Sequence, residues 1–212
     1  MRRIRVDTIN GVQMENVFSP AEWDFHKYIF SPTTVHQGIR YYEIPCAFDI
    51  ETTTITEDLQ RHVQNMPRKD EFRPFAFMYH WQFCVNEDVF FGRTWEELTN
   101  FFDWISYHLQ LNKKFRLVVY VHNLSYEFQF MRRFFYVTEG FYKDVRKPLK
   151  VLLNDSIELR DSYALSNMSL EKFCKNTQNV IHYKLVDTYD YSKLRTPATP
   201  LTEEEEAYCY ND

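Results

Sequence analysis

The chain has little glycine, few cysteines and no long apolar run. Glycine accounts for 4 of its 212 residues, while aromatic residues make up 18% and hydrophobic residues 44%. This composition can build a packed core and excludes a disordered chain. The 4 cysteines are scattered without a C-x-x-C spacing, so they form no zinc-ligand pattern and suggest a reduced, intracellular chain. No run of about 18 apolar residues predicts a transmembrane helix, and no apolar signal-peptide segment follows the first arginines.

Apolar patterns predict one α/β domain preceded by an irregular arm. Residues 1–43 predict an irregular arm packed on the domain, and residues 44–212 predict the domain itself. Three strands, a helix, a strand, a helix, further strands and two helices make a mixed sheet flanked by helices. The predicted strands are 44–50, 75–84, 89–91, 117–121, 151–153 and 157–159. The predicted helices are 94–109, 124–136, 169–175 and a last one opened by a capping box of Thr202 and Glu205.

The most distinctive segment is FDIETT at 48–53, at the end of the first predicted strand. Side chains two apart on a strand share a face, so the carboxylates of Asp49 and Glu51 point the same way. Neighbouring carboxylates repel unless a cation lies between them, and such hard oxygen ligands suit Mg²⁺ or Mn²⁺. A D-x-E pair by itself is common by chance and is more typical of a solvated strand end.

Two later segments each place an acidic residue on a helix. In YVHNLSYE at 120–127 a buried strand leads into a helix, so Glu127 lies one turn inside that helix and can face the same end of the sheet. In the last predicted helix, Tyr208 and Asp212 are four residues apart and lie on one helical face. A phenol there can orient an attacking water, and the carboxylate can hold a metal ion.

Taken in order, the three segments resemble the three exonuclease motifs of ribonuclease-H-like proofreading nucleases. They are most similar to those of the protein-primed family B DNA polymerases of bacteriophages and linear plasmids, in FDIETTT at 48–54, YVHNLSYEFQF at 120–130 and TPLTEEEEAYCYND at 199–212. Ala207 occupies the place of the histidine in one subtype, so the chain resembles the subtype that uses tyrosine, here Tyr208. The resemblance implies a ribonuclease-H-like α/β fold and 3′–5′ exonuclease activity on DNA. It also implies a location in the cytoplasm, that of the host if the chain is phage-encoded.

The resemblance further implies two divalent metal ions, Mg²⁺ or Mn²⁺, that support hydrolysis of the 3′-terminal phosphodiester. The implied metal ligands are Asp49, Glu51, Glu127 and Asp212. Tyr208 would orient the attacking water, and Lys184 would assist the phosphate chemistry. The residues implied to contact the single strand are Thr52, His122, Asn123, Tyr126, Phe130, Ser162 and Tyr191. The implied partners are the 3′ end of single-stranded DNA, a terminal protein and the rest of a polymerase, with no membrane.

The chain departs from the family pattern in two respects. Glu127 stands where the family usually has aspartate, and the extra methylene moves the carboxylate by ~1.5 Å at most. A misplacement of ~1 Å can lower a rate about a hundredfold. No segment matches the palm motif Y-x-D-T-D, and palm, fingers and thumb are absent, so we expect a truncated chain or the exonuclease piece of a split enzyme. We also expect the final turn at Asp212 to fray and to hold its metal ion weakly.

Two other functions remain open at this point. A stand-alone DEDD-type exonuclease that trims RNA would carry the same acidic residues. A domain with weak or defunct chemistry would bind single strands, or dock a terminal protein or another partner. The formal charge of −5 weighs mildly against a nucleic-acid partner, although bound cations would invert the charge of a carboxylate site.

Overall fold

The structure, a computed structural model, describes residues 3–5, 26–55, 75–86, 88–177 and 189–211. These residues form a mixed, open β-sheet flanked by helices, which is an α/β architecture. The strands are β1 (Arg3–Arg5), β2 (Thr33–His36), β3 (Ile39–Tyr42), β4 (Cys46–Ile55), β5 (Phe75–Val85), β6 (Asp88–Gly92), β7 (Phe115–Val121), β8 (Val137–Asp144), β9 (Lys147–Leu153) and β10 (Ile157–Asp161). The helices are α1 (His26–Ile29), α2 (Trp95–His108), α3 (Leu124–Met131), α4 (Ser162–Ser166), α5 (Leu170–Asn176) and α6 (Glu203–Asn211).

The strand order brings the ends of two strands to one edge of the sheet, beside a third strand that runs past it. Along its main path the order is β1-β6-β5-β4-β7-β10-β9-β8. Strands β4 and β10 both run parallel to β7, with Ala47 opposite Tyr120 and Asp161 opposite Val121. Strand β3 also runs parallel to β7, but pairs with its beginning. The carboxyl ends of β7 and β10 therefore share an edge, where the chain leaves them to begin α3 and α4, and β4 runs past this edge to Ile55.

The strand predictions are confirmed in the main sheet. The prediction of an irregular N-terminal arm, residues 1–43, is wrong for part of that arm. The predicted strands all lie within observed ones, except that the first begins at Cys46 and continues to Ile55. The described part of the arm is not irregular: β2 pairs with β3, and β3 joins the sheet beside β7. Tyr28, also in the arm, is buried, and its hydroxyl donates to the Val85 carbonyl at 3.3 Å. Strand β8 and helix α4 were not predicted.

The predicted helix starts have the expected caps. Thr94 and Glu97 form a capping box at the start of α2. The Ser169 hydroxyl accepts from the amide of Lys172 at the start of α5. Before α6, the Glu205 amide donates to the Thr202 hydroxyl at 3.2 Å and the Thr202 amide donates to Glu205 Oε2 at 3.0 Å, which confirms the second capping box.

Apolar side chains cover both faces of the sheet. On one face α2 and α3 pack on the strands and form the larger core, which includes Leu98, Phe101 and Phe128. On the other face a smaller cluster gathers under α6 around Tyr79 and Tyr208. Within the ranges that the structure describes, none of the helices combines the length and the apolar character needed to cross a membrane.

Candidate functional site

Strand β4 carries two acidic side chains away from the larger core. Phe48 and Ile50 are buried in that core. Successive side chains on a strand alternate between its faces, so Asp49 and Glu51 point to the opposite face. Glu51 is buried, whereas Asp49 is half-buried and lines a groove. On the neighbouring strand, Gln82 lies opposite Asp49 and donates from Nε2 to Asp49 Oδ2 at 3.1 Å. This bond fixes the orientation of the Asp49 carboxylate.

A bulge in β5 lies directly beside Glu51. His80 is opposite Glu51, but the next pair joins Thr52 to Met78, so Tyr79 is an extra residue without a partner position. Because of the bulge, two neighbouring side chains both point away from the larger core. Tyr79 lies in the cluster under α6, and the His80 ring lies 5.2 Å from that of Phe91. Burial, together with the charge of Glu51, raises the pKa of the Tyr79 hydroxyl.

Glu127 reaches the site from α3, which follows β7 at the same edge of the sheet. Helix α3 begins directly after β7, through Asn123 in the left-handed conformation at φ 71°, and Glu127 lies in its first turn. Glu127 is 3% exposed and its carboxyl lies against that of Asp49. Burial above all, then the charge and hydrogen bond of Asp49 and the charge of Asp161, raise the pKa of Glu127 to about 10. Its Oε2 atom has no hydrogen-bond partner among the described residues.

Asp161 organises the start of two helices at the same edge. It ends β10 beside Val121, and its Oδ1 accepts from the amides of Tyr163 at 2.8 Å and Ala164 at 3.2 Å, which caps α4. The same oxygen accepts from the amide of Asn123 at 3.3 Å, just before α3. The sequence analysis gave Asp161 no role in the site, although an aspartate between an apolar strand and a helix start is a recognisable signal.

Further residues named from the sequence lie around these carboxylates. The hydroxyls of Thr52 and Tyr126 are 2.5 Å apart, and burial, with the charges of Glu127, Glu51 and Asp49, raises the pKa of Tyr126. The Tyr126 ring contacts Phe130 edge to face at 5.3 Å, while Phe130 also packs against the larger core. Thr52, Tyr126 and Phe130 therefore form a continuous surface leading away from the acidic pair.

His122 and Ser162 form a second small contact at the ends of β7 and β10. His122 Nδ1 and Ser162 Oγ are 3.1 Å apart, and Ser162 Oγ is 3.3 Å from the Val121 carbonyl. Both side chains line a groove of about 690 Å³ that begins at Asp49 and continues between the sheet and α4, α5 and α6. Its apolar lining includes Tyr120, Leu165, Leu170, Phe173, Cys209 and Tyr210.

The third sequence segment is tied to β4 by a buried arginine. Arg195 is 2% exposed, bonds Glu205 of α6 at 2.5 Å, and donates from its backbone amide to Thr53 Oγ1 at 3.1 Å. Tyr208 of α6 is buried, and its hydroxyl lies 2.7 Å from that of Tyr191. The sequence analysis did not single out Arg195.

Tyr189 connects Tyr208 to the strand that lies beside Glu51. Its ring lies 4.6 Å from the Tyr208 ring, and its hydroxyl bonds to that of Tyr79. Burial above all, with the charge of Glu51 contributing, raises the pKa of Tyr189. Tyr208 is therefore linked to the neighbourhood of Glu51 through Tyr189 and Tyr79. Asp212 and Lys184 lie outside the described residues.

The chemistry of these acidic residues suits a divalent cation. A buried carboxyl pressed against another and left with an unpartnered oxygen is costly without an opposing charge, and carboxylate oxygens suit Mg²⁺ or Mn²⁺. Within the described residues no group of three or more histidine, cysteine or acidic side chains is arranged to hold a metal ion. The pair of Asp49 and Glu127 is thus a partial ligand set. Glu51, the third proposed ligand, is not arranged with them as a group that could hold an ion, and Asp212, the fourth, lies beyond the described part.

Comparison with known proteins finds no matching family model, no similar curated protein and no similar solved structure. The three sequence segments, the contact of the first two at Asp49 and Glu127, and the tyrosine contacts of the third are therefore the observations from which a function can be inferred.

Proposed function

We propose that the chain is a 3′–5′ exonuclease domain with a ribonuclease-H-like fold, of the proofreading kind found in protein-primed DNA polymerases. It would hydrolyse the 3′-terminal phosphodiester of single-stranded DNA and release 5′ mononucleotides. One observation carries the proposal: Asp49 and Glu51 from a strand and Glu127 from a helix, far apart in the sequence, all lie near Tyr126, where β7 and β10 end and β4 runs past them. Tyr208, from a third segment, contacts Tyr189, whose hydroxyl bonds to that of Tyr79 beside Glu51.

Two divalent metal ions are part of this proposal. Asp49, Glu51 and Glu127 would hold them, with Asp212 as a further ligand. When bound, such ions supply charge stabilisation at the phosphate and lower the pKa of the attacking water. Binding would also relieve the repulsion between the buried carboxyls of Asp49 and Glu127, which now requires a proton.

The remaining residues position the strand and the water. The Tyr208 hydroxyl, held by Tyr191 at 2.7 Å, would orient the attacking water. Tyr126 is 38% exposed beside the carboxylates, so its ring can contact a base, and Thr52 fixes its hydroxyl. His122 and Ser162, at the head of the groove, would contact the strand on the other side.

The decisive experiment measures mononucleotide release from a 3′-labelled DNA strand in the presence of Mn²⁺. Asp49→Ala should abolish release, because it removes a central ligand and the partner of Glu127. Asp103→Ala is the matched control, since Asp103 is an exposed aspartate on α2. Two results would refute the proposal. One is that the unchanged protein releases no mononucleotides; the other is that Asp49→Ala releases them as well as the unchanged protein does. An RNA strand tested in parallel identifies an RNA-trimming enzyme if RNA is the better substrate.

A second function is favoured by one observation. With its pKa raised to about 10, Glu127 is protonated at neutral pH, and the described residues hold no complete metal group. A domain of this kind would bind single strands, or dock a partner, without cutting. Strand binding that persists while no mononucleotide is released would establish this alternative.

A further inference from the structure

The hairpin of β8 and β9 projects past the edge that carries the acidic residues. Lys150 of β9 lies opposite Arg160, and β10 ends one residue later at Asp161. Lys147 is three residues before Lys150 on an antiparallel strand, so it lies about 7 Å beyond the end of β10, at roughly 3.4 Å per residue. The turn at Val145 extends still further. We call the segment 141–147 the basic arm, or the arm for short; it is separate from the N-terminal arm of residues 1–43.

Strand β4 extends past the same edge on the other side. Ala47 lies opposite Tyr120, near the end of β7, yet β4 continues to Ile55 and stays paired with β5. Strands β7 and β10 therefore end in a notch between two longer strand pairs. Glu127 and Asp161 lie in this notch, and Asp49 forms one wall.

The arm has a surface unlike that of the whole molecule. Phe141 is 61% and Tyr142 43% exposed, and three basic residues, Lys143, Arg146 and Lys147, are also exposed. Its one acidic residue, Asp144, accepts from the amide of Val145 at 2.7 Å. The arm thus carries a net positive charge on a chain whose formal charge is −5. Positive charges interleaved with exposed rings match a partner with phosphates and unstacked bases.

The arm is fixed to the elements that hold the acidic residues. The Tyr142 ring covers Gly140, where an added Cβ would lie 2.4 Å from the ring, and lies 6.4 Å from the ring of Phe128, the neighbour of Glu127 on α3. At the base of the hairpin, Glu139 accepts from the buried Arg116 at 2.9 Å. These contacts hold the arm in register with the site.

We propose that the arm binds a single strand of nucleic acid a few nucleotides on the 5′ side of the end held at Asp49 and Glu127. The inference rests on the proposed function for the direction of the strand. Lys143, Arg146 and Lys147 contact phosphates, and Phe141 stacks on a base. The exposed rings favour an unpaired strand over a duplex, whose bases are stacked on each other and cannot reach them.

The first experiment separates the arm from the chemistry by measuring binding in EDTA. The probe is a labelled oligothymidine strand roughly 12 nucleotides long, within the range of single-strand site sizes. The triple variant Lys143→Gln, Arg146→Gln, Lys147→Gln should weaken binding at least about tenfold and reduce the salt slope by about 2, since each lost phosphate contact removes about 0.7. The matched control is Arg40→Gln, Lys113→Gln, Lys114→Gln, which removes the same charges at the opposite end of β7.

The second experiment tests stacking and reach. Phe141→Ala should weaken binding about tenfold, while Val145→Ala, at an 82% exposed position in the same turn, should have little effect. A strand of roughly 2 nucleotides, too short to reach the arm from the acidic residues, should bind the triple variant and the unchanged protein alike. Its hydrolysis by the unchanged protein tests the proposed function independently of the arm.

The arm proposal fails if the triple variant binds the longer strand as well as the matched control does. It also fails if the variant loses affinity equally for short and long strands, or loses it for a duplex alone. If no strand is hydrolysed but the arm variants still weaken binding in EDTA, the arm stands and the proposed exonuclease activity falls.

Discussion

The carboxyl group of Glu127 lies against that of Asp49 in a place that is nearly closed to water. Glu127 comes from the first turn of α3 and Asp49 from the middle of β4. Burial and the Asp49 charge raise the pKa of Glu127 to about 10, against an ordinary value of 4.5. A stable fold alone gives no reason to place two carboxyls in contact, so this pair is where function and stability are expected to conflict.

We expect Glu127→Gln to stabilise the protein at neutral pH and to abolish hydrolysis. Between pH 4.5 and about 10 the folded chain keeps a proton on Glu127 that the unfolded chain has released. Stability is therefore lost as pH rises through this range, and this loss is absent below pH 4.5. Glutamine keeps the shape without the titration, and a gain of about 1–2 kcal/mol at pH 7 is expected.

Denaturant unfolding of both proteins at several pH values measures this effect. The gain should grow with pH and vanish in acid. Glu96→Gln, at an exposed position on α2, serves as the control and should change stability little at any pH. An equal or lower stability of Glu127→Gln at pH 8 would contradict the buried, protonated state of Glu127.

Mn²⁺ should bind more tightly as the pH rises from 6 to about 8.5, because the ion must displace the proton held at Glu127 and Asp49. Titration calorimetry in two buffers with different heats of ionisation counts the protons released. Glu127→Gln should bind the ion more weakly and release fewer protons. Binding with the same affinity and no proton release across this pH range would show that the ion does not use Glu127.

The three acidic segments were predictable from sequence because each lies where a strand or helix is strongly marked. The bulge at Tyr79 was not, since nothing in an aromatic-rich strand distinguishes an extra residue. Strand β8 was missed because its exposed, polar residues lack an apolar alternation. Helix α3 ends at Met131, not at 136, and the reason lies in packing. Phe134 stacks on Trp95 at 4.7 Å and Phe135 lies 5.0 Å from Phe102, whereas a helix would turn these neighbours about 100° apart.

Tyr208→Phe should lower kcat by roughly a hundredfold and leave the KM for a DNA strand within about twofold. Phenylalanine keeps the ring contact with Tyr189 at 4.6 Å but removes the hydroxyl that Tyr191 holds. Tyr191→Phe is the matched comparison and should reduce kcat less, since it removes the partner and leaves the Tyr208 hydroxyl. An unchanged kcat for Tyr208→Phe would remove this tyrosine from the chemistry.

Arg195→Met should destabilise the chain by about 3–5 kcal/mol, because it leaves the buried Glu205 carboxylate with the more distant Lys193, at 3.8 Å, as its cationic partner. Arg195 bonds Glu205 at 2.5 Å and the Asp190 carbonyl at 2.7 Å, and its guanidinium lies 4.5 Å from the centre of the Tyr189 ring. The loss should therefore loosen α6 and Tyr208 together. Hydrolysis should fall even at temperatures where the sheet stays folded.

The double variant Arg195→Met, Glu205→Gln separates the ion pair from the position it holds, because glutamine keeps an oxygen that can accept from the Thr202 amide. An uncharged pair of similar volume is often as stable as a buried ion pair, so much of the stability should return. A double-mutant cycle measured by denaturant unfolding gives the coupling, expected at about 1–3 kcal/mol. Full additivity would mean that Arg195 and Glu205 act separately. If stability recovers and hydrolysis does not, Arg195 does more than hold α6 in place. It then also positions Tyr208 through its contact with Tyr189.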